Sequence, residues 1–147
     1  MSEIADDWRR LILTGDEDLR RLLSEARSIA VLGMKEEPAE VSYRIPAYMA
    51  ERGYTILPVN PTAATIMGRR AYASLADIAE RVDIVDVFRH PRFIPGHAEE
   101  ALKLRPGAFW MQSGIRDAAA AEKLARAGIA VVEDRCLMVE HARLLGR

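Results

Sequence analysis

From Ser28 onward the chain alternates short apolar runs with longer stretches whose apolar residues recur at helical spacing. Ser28-Ile29-Ala30-Val31-Leu32-Gly33 opens the series as an uncharged run ending in glycine, the pattern of a strand covered on both faces. Tyr54 to Val59, Val82 to Phe88, Ala108 to Met111 and Ile129 to Val132 predict four more strands. Helices fill the gaps. Ser42 stands where it can cap a helix with Ile45, Tyr48 and Met49 on its inner face, Pro46 in its first turn and Gly53 past its end. A short helix is predicted near Leu75, a longer one over 93–105, and an alanine-rich one between Asp117 as cap and Gly128. The last runs from Leu137 to Leu145. Upstream, Asp16-Glu17-Asp18 precedes Leu19, Leu22, Leu23 and Ala26 at helical spacing, and early acids suit the positive end of a helix dipole. Trp8 and Leu11 to Leu13 read as a short helical arm.

Strands alternating with helices imply an α/β fold, a doubly wound parallel sheet of about five strands in a single domain. The expected spatial order is 3-2-1-4-5, with residues 1–27 as a helical arm packed on a domain spanning 28–147. In such sheets a ligand lies at the carboxyl ends of the strands, where strand order reverses. For this order, the loops after the first and fourth strands flank the crevice.

Composition narrows the function classes. The chain has 147 residues, half of them hydrophobic, and a formal net charge of -1. That balance lacks the basic footprint of a nucleic-acid or anionic-membrane partner. No apolar run has the length of a membrane span, and the opening Met1-Ser2-Glu3-Ile4-Ala5-Asp6-Asp7 is acidic where a secretory signal is basic. A single cysteine, Cys136, excludes an internal disulfide framework, so a reduced cytoplasmic location is expected.

The candidate chemistry lies at the predicted strand ends. The first loop, Gly33-Met34-Lys35 through Ser42, joins a strand to a helix start, whose free N–H groups suit a phosphate. Glu36, Glu37 and Glu40 bring negative charge there, and the loop has only one glycine, so it is no dinucleotide fingerprint. As a loop taken alone it reads equally well as a strand–helix connection with a capping serine. The second strand ends Pro58-Val59-Asn60-Pro61, with no carboxylate for the ribose hydroxyls of NAD. Arg89 follows the third strand as a phosphate partner, Gln112-Ser113-Gly114 follow the fourth, and Asp134-Arg135-Cys136 the fifth.

In this succession the chain from Ser28 to Leu145 resembles the small stand-alone CoA-binding proteins, which are related to the CoA-binding domain of the succinyl-CoA synthetase alpha subunit. The segments that carry it are Val31-Leu32-Gly33, Ser42-Tyr43-Arg44-Ile45, Gly53-Tyr54, Leu57-Pro58-Val59-Asn60-Pro61, Asp83 through Arg89, Trp110 through Ile115 and Asp134 through Met138. The resemblance implies a Rossmann-like fold with coenzyme A as cofactor. It implies the nucleotide end at Gly33, the first loop and the Asn60-Pro61 turn, with Phe88, Arg89, Gln112, Ser113 and Gly114 along the ligand. The expected binding set is Gly33, Met34, Lys35, Ser42, Tyr43, Val59, Asn60, Pro61, Phe88, Arg89, Gln112, Ser113, Gly114 and Cys136. The first loop departs from the family's frequent Gly-x-Ser start, which removes one serine hydroxyl from the phosphate site.

No catalytic or metal-ligating residue is assigned. His90, His97 and His141 are too dispersed for zinc, Ser113 lacks the glycine frame of a nucleophile elbow, and no P-loop occurs. Asp83 and Asp86 point to opposite faces of their strand, and Asp86 is expected to bond loop backbone or fix Arg89. Trp110 and Met111 read as core, and Cys136 as an inert thiol near a helix start, with a mixed disulfide to CoA as the other reading. The leading expectation is non-catalytic binding of CoA or an acyl-CoA, as carrier, sensor or regulator. The alternatives are an NAD- or acyl-CoA-linked enzyme and a nucleotide-sensing module that docks on another protein. A protein partner or homo-oligomer stays open.

Overall fold

The computed structural model describes residues 7–146, so the acidic opening and the first part of the expected arm lie outside the described residues. Five parallel strands form the sheet: β1 (Ser28–Leu32), β2 (Thr55–Val59), β5 (Ile84–Val87), β6 (Ala108–Met111) and β7 (Ala130–Val132). A small antiparallel hairpin, β3 (Thr65–Ile66) and β4 (Arg69–Arg70), stands apart. Helices α1 (Asp16–Glu25), α2 (Val41–Glu51) and α5 (Leu137–Leu145) cover one face, and α3 (Ile94–Leu104) and α4 (Ala118–Arg126) the other. The chain is therefore a Rossmann-like three-layer α/β domain. None of the described helices is long and apolar enough to cross a membrane.

Strand alternation builds both cores. Ile29 and Val31 of β1 face the layer under α1, α2 and α5, while Ala30 and Leu32 face α3 and α4. Phe109 and Trp110, adjacent on β6 and fully buried, anchor one layer each. Removing each from water contributes on the order of 2–3 kcal/mol. Trp110 finds its polar partner in the Arg135 carbonyl, to which its Nε1 donates at 2.8 Å.

The strand order corrects the sequence expectation. It runs β2-β1-β5-β6-β7, so the third of the main strands lies between the first and the fourth rather than outside the second. The segment following β2 explains this. After the hairpin, Tyr72 returns to β2, where its N–H donates to the Pro58 carbonyl and its carbonyl accepts the Asn60 amide, both at 2.8 Å. That occupies the edge a further strand would need. Pro58, without an N–H, presents its missing donor to this outer edge, where proline is tolerated. The opposite edge is also covered: Ile12 pairs with Val131, and the Leu13 amide donates to the Val131 carbonyl at 2.8 Å. Trp8, in a 3-10 turn over Asp7–Leu11, lies under the Arg126 guanidinium.

The start of α2 is a second correction. Glu40, not Ser42, is the N-cap residue, because the Tyr43 and Arg44 amides both donate to its carbonyl. Ser42 is one residue into the helix and Pro46 in its interior, where it removes the usual i+4 donor to the Ser42 carbonyl. Asp117 does cap α4, its Oδ1 accepting the Ala120 amide at 3.0 Å.

Candidate functional site

With this arrangement, the strand order reverses between β1 and β5, so the crevice is flanked by the loops after those two strands rather than after the first and fourth. The backbone there is tightly packed. Gly33 has φ +81°, and a Cβ on it would stand 2.5 Å from the Phe88 carbonyl oxygen and 2.9 Å from Arg89 Cδ. Glycine is required at this position because nothing larger fits where the two loops meet.

A cleft of about 460 Å³ opens at this point. Of the expected residues, Gly33, Lys35, Ser42, Phe88, Arg89, Gln112, Ser113 and Cys136 line it. Four strand-end segments thus converge, those after β1, β5, β6 and β7, while the segment after β2 stays outside the lining. Met34 does not line the cleft: it is fully buried beneath the first loop. Val59 is buried against the other layer, Tyr43 packs against the α2 side of the core, and Pro61 and Gly114 stand outside the lining. Asn60 works within the chain, donating from Nδ2 to the Met34 carbonyl at 2.9 Å and accepting the Thr62 amide at 2.8 Å. It ties two loops together. The Gly114 amide is likewise held by Asp134 at 2.6 Å.

The sequence reading missed the apolar part of the lining, namely Val41, Ile45, Pro91 and Ile115, together with His90 and Glu40. Val41 and Ile45 fall at i, i+4 on α2, and Val41 is 49% exposed, an apolar side chain left at the mouth. That pairing was the available signal.

The charge distribution favours an anion more than the sequence suggested. Two of the three acids in the first loop are engaged: Glu36 accepts the Met67 amide at 3.0 Å, and Glu40 lies 3.7 Å from Lys35 Nζ. Arg89 has no ion pair among the described residues; its guanidinium stacks over the Phe93 ring, 4.2 Å from the centroid, and Arg92 lies 4.8 Å from the same centroid. The expected bond from Asp86 to Arg89 is therefore absent. Beside these cations, the Val41 and Ser42 amides at the start of α2 have no partner among the described residues. Cys136 is the N-cap residue of α5, partly buried and free.

Under the cleft lies an unusual carboxyl. Asp86, wholly buried on β5, accepts Gln112 Nε2 at 2.6 Å, and Gln112 Oε1 accepts the Leu137 amide at 3.3 Å. Burial pushes the Asp86 carboxyl up to about 7, against the opposing pull of the Gln112 and Val87 donors. Among the described residues no group of three metal-type ligands occurs. A larger hollow of about 900 Å³, between the turn at Leu75 and α3, lies at the amino end of the sheet and contains none of the expected binding residues.

Comparison with known proteins bears on the same region. Residues 27–142 match the model of a family described as CoA binding domain. The chain is 37% identical over 125 residues to the uncharacterised protein YneT of Bacillus subtilis, covering 85% of this chain and 93% of that one. It is 31% identical over 103 residues to an ADP-forming acetate–CoA ligase of Archaeoglobus fulgidus, covering 68% of this chain but 15% of the ligase. A solved structure from Thermus thermophilus superimposes with a TM-score of 0.85 at 50% identity, covering 89% of this chain and 99% of that one.

Proposed function

The chain belongs to the CoA-binding domain family, and from that premise we propose that it binds coenzyme A or an acyl-CoA in the cleft between β1 and β5 and releases it unchanged. The observation that carries this reading is the convergence, at the reversal of strand order, of Arg89, Lys35 and the amides of Val41 and Ser42, which have no partner among the described residues. CoA brings a pyrophosphate and a ribose 3′-phosphate to such a site. The apolar residues Val41, Ile45, Pro91 and Ile115 suit the pantetheine arm or an acyl chain.

Binding without turnover is supported by the side chains in the cleft. Neither Ser113 nor Cys136 is hydrogen-bonded to a histidine or carboxylate among the described residues, and His90 Nδ1 already accepts the Arg92 amide at 3.1 Å. A carrier, sensor or regulatory role fits these features, with the small molecule as principal partner and a reduced cytoplasmic setting.

The test is a thermal-shift series with ligand in excess, in which stabilisation grows as RT ln(1 + [L]/Kd). CoA should raise the melting temperature, dephospho-CoA less, and NAD least. Arg89→Ala should weaken CoA binding by about 1.5–3 kcal/mol, as loss of a charge-assisted bond usually does. Equal stabilisation by NAD and CoA, or none by either, defeats the reading.

A further inference from the structure

Beneath the cleft lies a group that ligand contact alone does not require. Asp86 Oδ2 has no hydrogen-bond partner among the described residues, although it lies wholly inside the protein. Its other oxygen has one side-chain partner, Gln112, which itself lines the cleft. A position that served packing alone would be better filled by an apolar side chain, since a carboxylate with so few donors is costly to keep charged. The flanking residues in register, Val31 and Trp110, offer Asp86 no charge.

Resting on the CoA-binding reading, we propose that Asp86 takes up a proton from solvent when the polyanionic ligand binds, with Gln112 transmitting the change to the cleft. Two effects act with the same sign. An ionised Asp86 places a buried negative charge behind a site that must accept phosphates, and protonation removes it. An ionised Asp86 also holds the Gln112 amide nitrogen inward through a charge-assisted bond. Once Asp86 is neutral that bond weakens, and the amide is free to turn toward the cleft and donate to the ligand. Linkage then requires that ligand binding raise the proton affinity of Asp86 by the factor by which protonation raises ligand affinity.

The charged groups on the helices packed over β5 have partners of their own. On α5, Glu140 is bound by Arg135 and Arg143 and lies below the usual carboxylate range, while burial holds His141, bonded to Tyr48, below its ordinary value. On α2, Arg44 reaches the Ala39 carbonyl, and just past its end Arg52 stacks on Tyr48. On α1, Arg20 donates to the Leu144 carbonyl. From the cleft side the facing groups are Lys35, Glu40, Arg89, His90 and Cys136. The position of Asp86 near neutrality follows from burial, opposed by the donors of Gln112 and Val87.

The experiment is carboxyl 13C NMR of protein labelled at aspartate, with Asp86→Asn to assign the resonance, titrated in pH with and without saturating CoA. The Asp86 midpoint should lie near neutrality in the free protein and rise with CoA by half a unit or more, roughly a threefold gain in proton affinity. Correspondingly, CoA binding to the wild type should weaken about threefold or more from pH 6 to pH 8 beyond any change seen in Asp86→Asn. The ligand's own phosphate titrates in both proteins and cancels. If the Asp86 midpoint is unmoved while the Gly33 and Ser113 amides shift with CoA, the inference fails and the binding reading stands. If no amide responds to millimolar CoA, the binding reading fails and this inference falls with it.

Discussion

Asp83 immediately precedes β5 and Asp86 lies three residues on, near the strand's carboxyl end, and the protein treats them in opposite ways. At the amino end, Asp83 accepts the Arg27 amide at 2.7 Å, the Ser28 amide at 3.1 Å and Arg81 Nε at 2.9 Å. Burial works against its charge, but those donors prevail and hold the carboxyl below its usual range. At the carboxyl end, Asp86 has a single side-chain donor, an unpartnered oxygen and a carboxyl raised to about 7. The neighbourhoods follow suit. Ser28 Oγ donates to the Arg81 carbonyl and closes the amino end, whereas at the carboxyl end stand the α2 amides without a partner among the described residues and Arg89, stacked on Phe93. One end of the sheet has its polar groups satisfied from within and holds the fold together. The other keeps donors and charge in reserve for something that arrives.

The largest expected effect comes from closing the space between the two crevice loops. Gly33→Ala puts a Cβ 2.5 Å from the Phe88 carbonyl at a positive φ, and should cost about 3 kcal/mol of stability together with CoA binding. Gly107 offers the matched substitution at the amino end. Its Cβ would stand 2.9 Å from the Asp83 carbonyl without a positive φ, so Gly107→Ala should cost about 1–2 kcal/mol and spare CoA affinity. Urea denaturation and calorimetric titration measure both. If Gly107→Ala also abolishes binding, the two ends are not independent.

Next in size are the carboxyls themselves, whose stability effects should run in opposite directions with pH. The folded-state value of Asp86 is raised, so the folded protein holds its proton more tightly than the unfolded chain. The wild type therefore loses stability from this group as pH rises from about 4 to about 7, after which the loss is constant. Asp86→Asn should recover about 2–3 kcal/mol at pH 8 and little at pH 4.5. Asp83 is lowered, so its contribution is present above the ordinary carboxylate range and is lost as pH falls through its depressed value. Asp83→Asn should thus cost about 1–2 kcal/mol at pH 7, shrinking below pH 4, with CoA affinity unchanged. Chemical denaturation across pH 4–8 separates the cases; parallel profiles for the two variants would contradict the contrast.

How much of this was legible in the sequence depends on whether the signal is local. Each main strand and helix shows as its own run, because burial on two faces or one stripe is written in consecutive residues. Strand order is set by a return segment, and here Tyr72 claiming the edge of β2 overrode the expected 3-2-1-4-5. Pro58 carried the hint, since proline belongs at a sheet edge and the expected order put its strand inside. For the site, the residues flagged after β1, β5 and β6 line the cleft in large part, because strand ends converge by topology. Asn60 was expected at the ligand, but its amide is consumed by Met34, 26 residues away, and Asp86 was expected to bond loop backbone or Arg89, but its side-chain partner is Gln112, just past the end of β6. Ser42 was misplaced by two residues because a glutamate backbone, with no capping side chain, starts α2.

The smallest effect tests whether even exposed cations divide between the two ends. Lys35 and Arg81 are both solvent-facing and each lies near an acid: Lys35 is 3.7 Å from Glu40, with side chains 63% and 51% exposed, and Arg81 is 86% exposed beside Asp83. Exposed pairs of this kind contribute about 0–1 kcal/mol to folding, so neither substitution should alter stability much. Their effect on ligand should differ. Lys35 borders the cleft and adds to the field felt by an incoming polyanion, so Lys35→Met should weaken CoA binding about two- to threefold at low salt. The deficit should fade as ionic strength shortens the Debye length to about 3–5 Å, because an exposed ammonium acts mainly through a screened field. Arg81→Met should leave affinity unchanged at every salt concentration, and instead lower stability by about 0.5 kcal/mol through the loss of one of Asp83's donors. Titrations of both variants at low and high salt read the difference. An equal loss of affinity in the two would mean that net charge alone attracts the ligand, and a Lys35→Met deficit that persists at high salt would mean a direct phosphate contact that the exposed position of Lys35 does not suggest.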